Sequence, residues 1–283
     1  MPDRYVTFAE RIYRVERSFL SWPKTLNVGT SSKGAVDSEG NLYVCQRADP
    51  PILVFDRNGK FTRSIGDGRL ADSHGIWITR DDRILLVDRD AHQIVCYGKD
   101  GKELFAIGDP KLPRFGAPFN HPTDVVEAPN GNLYVSDGYA NMVVHRFGAD
   151  GKHKNTWGEF GTGPGQFTTP HGINALPDGR VLVGDRENDR VQVFDPDGNY
   201  LAEWYGFYHP MDIHVARDGL IYVSDQRPRI TILDDSGEIV GTSQPALVLP
   251  HGITSDQDGN FYIVELSDIR NVTRLVPISI PPS

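Results

Sequence analysis

The chain has 283 residues, with 29 Lys and Arg against 38 Asp and Glu, a formal net charge of −9. With no basic cluster, that balance argues against nucleic acid as a partner, because phosphate recognition needs Lys and Arg gathered on one face. No run approaches the roughly 18 apolar residues of a membrane-spanning helix, and Met1-Pro2-Asp3-Arg4-Tyr5 lacks the apolar core of a secretion signal.

The first element is Arg11-Ile12-Tyr13-Arg14-Val15, whose alternation is that of a strand. One pattern then returns six times, over residues 32–44, 74–87, 123–135, 171–183, 211–223 and 251–264. Each copy is an apolar strand, a turn such as Pro129-Asn130-Gly131 or Pro177-Asp178-Gly179, and a second apolar strand such as Leu133-Tyr134-Val135. A third strand follows, for example over 94–97 or 191–194. After it comes a turn of Asp-Gly type, as at Asp100-Gly101 and Asp197-Gly198, and a fourth strand such as Leu201-Ala202-Glu203-Trp204. Four short strands every ~40–50 residues is the cadence of propeller blades. The expectation is an all-β, six-bladed β-propeller forming one domain over 1–283, with blades starting near 32, 74, 123, 171, 211 and 251. The last copy runs out at Arg274-Leu275-Val276, so the N-terminal strand is expected to complete that blade and close the ring, which removes exposed sheet edges. Cys45 and Cys96 fall in predicted strands of neighbouring blades and read as free buried thiols, the pattern of a cytoplasmic protein.

Alternate copies carry a histidine at one position: His74 before Gly75-Ile76, His171 before Gly172-Ile173 and His251 before Gly252-Ile253. In a propeller these three side chains share one level on the central axis. Three neutral imidazoles meeting there make a transition-metal site with open positions, zinc first, with iron, manganese or cobalt as alternatives. One such histidine alone would read as a turn feature capping a backbone group; three in alternate copies favour the ligand reading. One residue past that register stand Asp124 and Asp212, which either orient a ligand imidazole or cap a strand end. Two residues before it are His121 and His209, rim residues that either touch substrate or are simply solvated.

After the second strands come Arg47, Arg89 and Arg186, while the third copy has Gly138-Tyr139. An Arg beside a metal can clamp a carboxylate, and a Tyr beside one can move a proton. For Asp88-Arg89 and Asp185-Arg186 the plainer reading is a structural ion pair between blades, preferred for Arg89. The acid row Asp88, Asp137, Asp185, Asp225 and Glu265 recurs in nearly every copy and reads as architecture.

The run from His121-Pro122-Thr123-Asp124 through Ser136-Asp137-Gly138-Tyr139-Ala140-Asn141 resembles peptidyl-α-hydroxyglycine α-amidating lyase, and so does Gly163-Pro164-Gly165-Gln166-Phe167 through Pro170-His171-Gly172. The resemblance implies a six-bladed propeller of NHL-type repeats, with His74, His171 and His251 holding zinc, Tyr139 as catalytic base and Arg47 supporting developing charge. It implies a reaction that cleaves a carbinolamide C–N bond to an amide and glyoxylate. The chain departs from that pattern where the family has an Asp that helps hold a structural calcium, here Gly252, which makes calcium doubtful. Leu249 replaces a methionine, and Ala140 and Asn120 stand at cysteine positions. The loss of those cysteines fits a cytoplasmic protein, and a small hydroxylated or unsaturated molecule is expected rather than a secreted peptide.

The expected function is therefore a metal-dependent lyase or hydratase acting on a small-molecule substrate, Tyr139 and Arg47 being catalytic and His121, Asp124, Arg186, His209 and Asp212 binding substrate or supporting the ligands. Two other readings stand beside it. One is a non-enzymatic propeller binding a protein partner. The other is a lactonase of the gluconolactonase type, whose carboxylate- and amide-rich calcium sites these imidazoles do not match.

Overall fold

Each repeat folds into an antiparallel sheet, and six such sheets form the molecule. The computed structural model describes residues 4–8, 11–69, 72–245, 247–266 and 272–278. The innermost strands are Ser31–Val36, Ser73–Ile78, Asp124–Glu127, Pro170–Ala175, Pro210–Val215 and Pro250–Ser255. Each packs against the next, and Pro250–Ser255 returns to Ser31–Val36, so the six blades make a closed propeller. Among the described residues the only helical element is the single turn Arg186–Asn188, and no helix is long and apolar enough to cross a membrane.

The apolar pattern explains the layering. Second strands such as Leu42–Gln46, Ile84–Asp88 and Val181–Asp185 are buried along their whole length, because both faces meet a neighbouring blade. Outer strands such as Glu103–Gly108 alternate between partly buried and exposed residues. One apolar cluster fills each blade interface, for example Ile52, Ile76, Leu86 and Val95 between the first two blades. The Asp-Gly turns need a left-handed glycine: Gly198 has φ +90°, and a Cβ there would stand 2.6 Å from the ring of Trp157. Cys45 and Cys96 are free and buried.

The ring closes as the sequence implies. Arg11–Glu16 pairs antiparallel with Val272–Pro277 and supplies the fourth strand of the last blade. An unexpected fifth strand, Arg4–Phe8, pairs with Arg11–Glu16. It is held by Phe8, which is fully buried against Tyr222 and Phe261, with ring centroids 5.1 and 5.0 Å away. The N-terminal segment thus plugs the seam between the fifth and sixth blades as well as finishing the sheet.

Candidate metal centre

The acid row sets the entry of the chain into each inner strand. Asp88 accepts the Asp72 N–H, Asp137 that of Asn120, Asp185 that of Thr168, Asp225 that of Tyr208, and Glu265 those of Val248 and Leu249. The first blade uses Gln46, which accepts from Gly29. These side chains are architecture, as their recurrence suggests. Arg89 makes structural ion pairs, as preferred for it, but with Asp72 and Asp90 rather than Asp88; Asp185 bonds Arg190 at 2.9 Å, and Arg186 bonds Glu187. Adjacent residues at a strand end point apart, so the acid faces the blade and the arginine faces the rim.

Just inside that entry, five inner strands carry a register shift, between Ser31 and Lys33, Ser73 and Gly75, Pro170 and Ile173, Pro210 and Asp212, and Pro250 and Gly252. A bulge re-aims the side chain at its position, and here it falls on the histidine register. His74, His171 and His251 are all buried, with one ligand atom from each within 4.8 Å of the others. Their ring centroids are 4.9–5.1 Å apart.

Each ring is fixed from behind. Nδ1 of His74 donates to the Thr123 carbonyl at 2.7 Å, that of His171 to Met211 at 2.7 Å, and that of His251 to Ser32 at 2.8 Å. These acceptors are main-chain groups of the following blade, not Asp124 or Asp212, which corrects one of the two roles expected of those acids. With its proton on Nδ1, each imidazole turns an unprotonated Nε2 to the axis. Burial, then the neighbouring imidazoles, hold His74 well below its ordinary pKa; burial and His251 do so for His171. Burial and the Arg47 charge push His251 down to about 3. All three are neutral donors over the physiological range, the state a transition metal requires.

One residue further in lies a second layer. Lys33 Nζ bonds Asp124 at 2.5 Å and Asp212 at 2.8 Å, with all three side chains buried. Asp124 also accepts from Ile173 N, and Asp212 from Ile253 N, tying each to the blade beyond it. Burial alone would discharge Lys33, but the two carboxylates outweigh it and raise its pKa. Lys33 escaped the sequence reading, although it shares the register of Asp124 and Asp212; a lysine aligned with two acids was the signal. The residues alternating with this layer are Gly75, Gly172 and Gly252, and close approach of the adjoining blade requires them: a Cβ on Gly172 would lie 2.7 Å from the Met211 carbonyl oxygen.

Above the imidazoles stands Tyr139, whose hydroxyl is 2.9 Å from His74 Nε2 and 3.2 Å from His171 Nε2. Arg186 donates to that hydroxyl at 3.5 Å, and the guanidiniums of Arg89 and Arg186 lie 5.4 and 5.5 Å from the Tyr139 ring centroid. Arg47 faces Asp72 at 3.5 Å. Asp72 therefore serves both Arg47 and Arg89 with a single carboxylate. His121 and His209 lie on the rim, both with positive φ. The His121 carbonyl accepts from Tyr139 N at 3.4 Å, and the His121 ring packs on His92. His209 stacks on Tyr208 and faces Glu187 at 3.6 Å. Neither is among the convergent ligands.

Two metals are implied by the resemblance. The three-histidine group fits a transition metal by donor type and convergence. A structural calcium does not fit: Gly252 offers no side-chain carboxylate, and the nearby acids are already bonded to an ammonium group.

Fold and site together define a six-bladed propeller with an axial three-histidine centre. The NHL repeat family matches residues 167–194. Mouse NHL repeat-containing protein 3 is 30% identical over 91% of this chain and 83% of its own length. The chain belongs to this family of NHL-repeat propellers, and it is also similar to proteins named as amidating enzymes. Rat peptidylglycine alpha-amidating monooxygenase is 30% identical over 86% of the chain, and the Drosophila melanogaster peptidyl-alpha-hydroxyglycine alpha-amidating lyase 1 is 30% identical over 54%. The chain spans only 30% and 31% of those two proteins. A Xanthomonas campestris gluconolactonase structure superposes with a TM-score of 0.75 at 16% identity, covering 98% of this chain and 96% of its own; that likeness is one of fold.

Proposed function

We propose that the protein is a metal-dependent lyase acting on a small hydroxylated substrate of the carbinolamide or hydroxy-acid kind. The observation that carries this reading is the convergence of three Nε2 atoms whose rings are each locked through Nδ1 by a main-chain carbonyl. Likeness to proteins named as amidating lyases supports it. A divalent transition metal bound there, zinc first with iron, manganese or cobalt as alternatives, would supply Lewis acidity to a substrate oxygen. The rest falls to the chain. Tyr139, in reach of two ligand nitrogens, takes the substrate hydroxyl proton as that oxygen becomes a carbonyl. The C–N bond breaks with its electron pair on nitrogen, and Tyr139 hands the proton to the departing amide. Arg47 pairs with a substrate carboxylate or the developing negative charge, and Arg186 orients the phenol.

The test is elemental analysis of untagged protein beside the His74→Ala/His171→Ala/His251→Ala variant, followed by turnover of an N-acyl-α-hydroxyglycine to amide and glyoxylate. About one transition-metal ion per chain, absent from the variant, is expected. A protein without metal that takes up none from added zinc would instead be a binding propeller.

A further inference from the structure

The second axial layer is a charge group of one ammonium and two carboxylates. In the odd-numbered blades, residues 33, 124 and 212 occupy one register and point at the axis. Two are acids, and the third is Lys33, whose ammonium contacts both of them. The residue before each is Ser32, Thr123 or Met211, whose carbonyls hold His251, His74 and His171. The layer therefore cross-links the three peptides that orient the three imidazoles. Lys33 also separates two spaces. A chamber of about 10 Å³, enough for one water, lies between Lys33 and the histidines. A cavity of about 170 Å³ opens on the other side, lined by Lys33, Trp77, Asn174 and His214.

An acid pair on a propeller axis needs a counter-cation, because two facing buried carboxylates repel. A bound divalent ion is one solution, and it would be lost by dilution. A lysine at the third position is another, fixed by the chain. One oxygen of Asp124, Oδ1, is buried without a hydrogen-bond partner, so the layer keeps spare acceptor capacity beside the ammonium.

We propose that Lys33 is the resident cation of the axial channel, taking the place of a structural divalent ion between Asp124 and Asp212. The protein thus needs no calcium to hold its axis, and removing the ammonium while leaving both acids exposes a site that takes a calcium ion. This inference does not rest on the lyase reading, since its test reads no turnover.

The experiment compares wild type, Lys33→Met and Lys33→Met/Asp124→Asn/Asp212→Asn by thermal melting and by calcium titration calorimetry. Calcium is the probe because it seeks oxygen ligands and ignores an imidazole triad. Wild type is expected to melt at the same temperature with and without millimolar calcium. Lys33→Met is expected to melt on the order of 5–15 °C lower, to bind about one calcium ion and to recover most of the loss on binding it. The triple variant, which has no charge to balance, is expected to melt well above Lys33→Met and to ignore calcium. Should Lys33→Met fail to fold without calcium, a folded triple variant upholds the proposal, because the unpaired acids are then the cause. A calcium-dependent rise in wild-type melting overturns it. So does a Lys33→Met protein that takes up no calcium, or a triple variant that is no more stable than Lys33→Met.

Discussion

The Tyr139 hydroxyl stands 2.9 Å from Nε2 of His74, one of the nitrogens that converge on the axis. A phenol in that position meets whatever occupies the centre, and its ring packs on His74, His171 and the guanidiniums of Arg89 and Arg186. Tyr139→Phe should therefore leave metal content near normal and lower turnover by about 10²–10⁴-fold, the range for losing a positioned proton-transfer group. Elemental analysis and single-turnover kinetics on one preparation check this. Full activity in the variant would remove Tyr139 from the mechanism.

His171 is a different case, because its Nδ1 proton goes to the Met211 carbonyl 2.7 Å away and the ring is buried. His171→Ala removes one of the three convergent imidazoles and, on the proposed reading, should weaken metal affinity by more than the 10–100-fold typical of losing a supporting hydrogen bond. Competition with a chromophoric chelator measures it. Unchanged affinity would reject the ligand set.

Gly172 tests the backbone that orients that ring. A Cβ there would sit 2.7 Å from the Met211 oxygen and 2.8 Å from Asp212 Cα, both main-chain atoms that cannot rotate away. Gly172→Ala should cost roughly 1–3 kcal/mol of stability. It should also weaken metal binding by displacing the carbonyl that accepts from His171. Destabilisation with wild-type metal affinity would mean that the carbonyl does not set the ring.

Much of this was legible in the sequence, for physical reasons that differ from residue to residue. The blades could be read because their hairpins repeat, and the histidines because they alternate within that repeat. Ring closure followed from a strand left over at one end and one missing at the other. Phe8 did not announce itself, since its partners Tyr222 and Phe261 lie far away in sequence. The bulges at the histidine register and the carbonyl acceptors of residues 32, 123 and 211 are backbone features with no residue type of their own. Asp124 and Asp212 were noticed as acids near the ligands, but their actual partner, Lys33, sits in the one odd-numbered blade where the register changes sign of charge.

Ring closure carries its own pH signature. Glu16, on the N-terminal strand, accepts from Arg274 on the last repeat at 2.8 Å and from Arg14 at 2.7 Å. Burial pushes its carboxyl up, but the hydrogen bonds from Arg274 and Arg14 outweigh that and hold it below the ordinary value of 4.5. A carboxylate with a lowered folded pKa adds stability in full above its unfolded value, and loses it as pH falls through the folded value. Closure should therefore be strongest above about pH 5 and weaken below 4.5. Because the pair is partly solvated, its worth is at most about 1 kcal/mol, or roughly 2–4 °C in melting temperature for a chain of this size. Glu16→Gln should melt that much below wild type at pH 7, and the two should converge as pH falls through the lowered folded value. A gap that stays constant with pH would show that the Glu16 charge does not act through Arg274 and Arg14 in holding the ring shut.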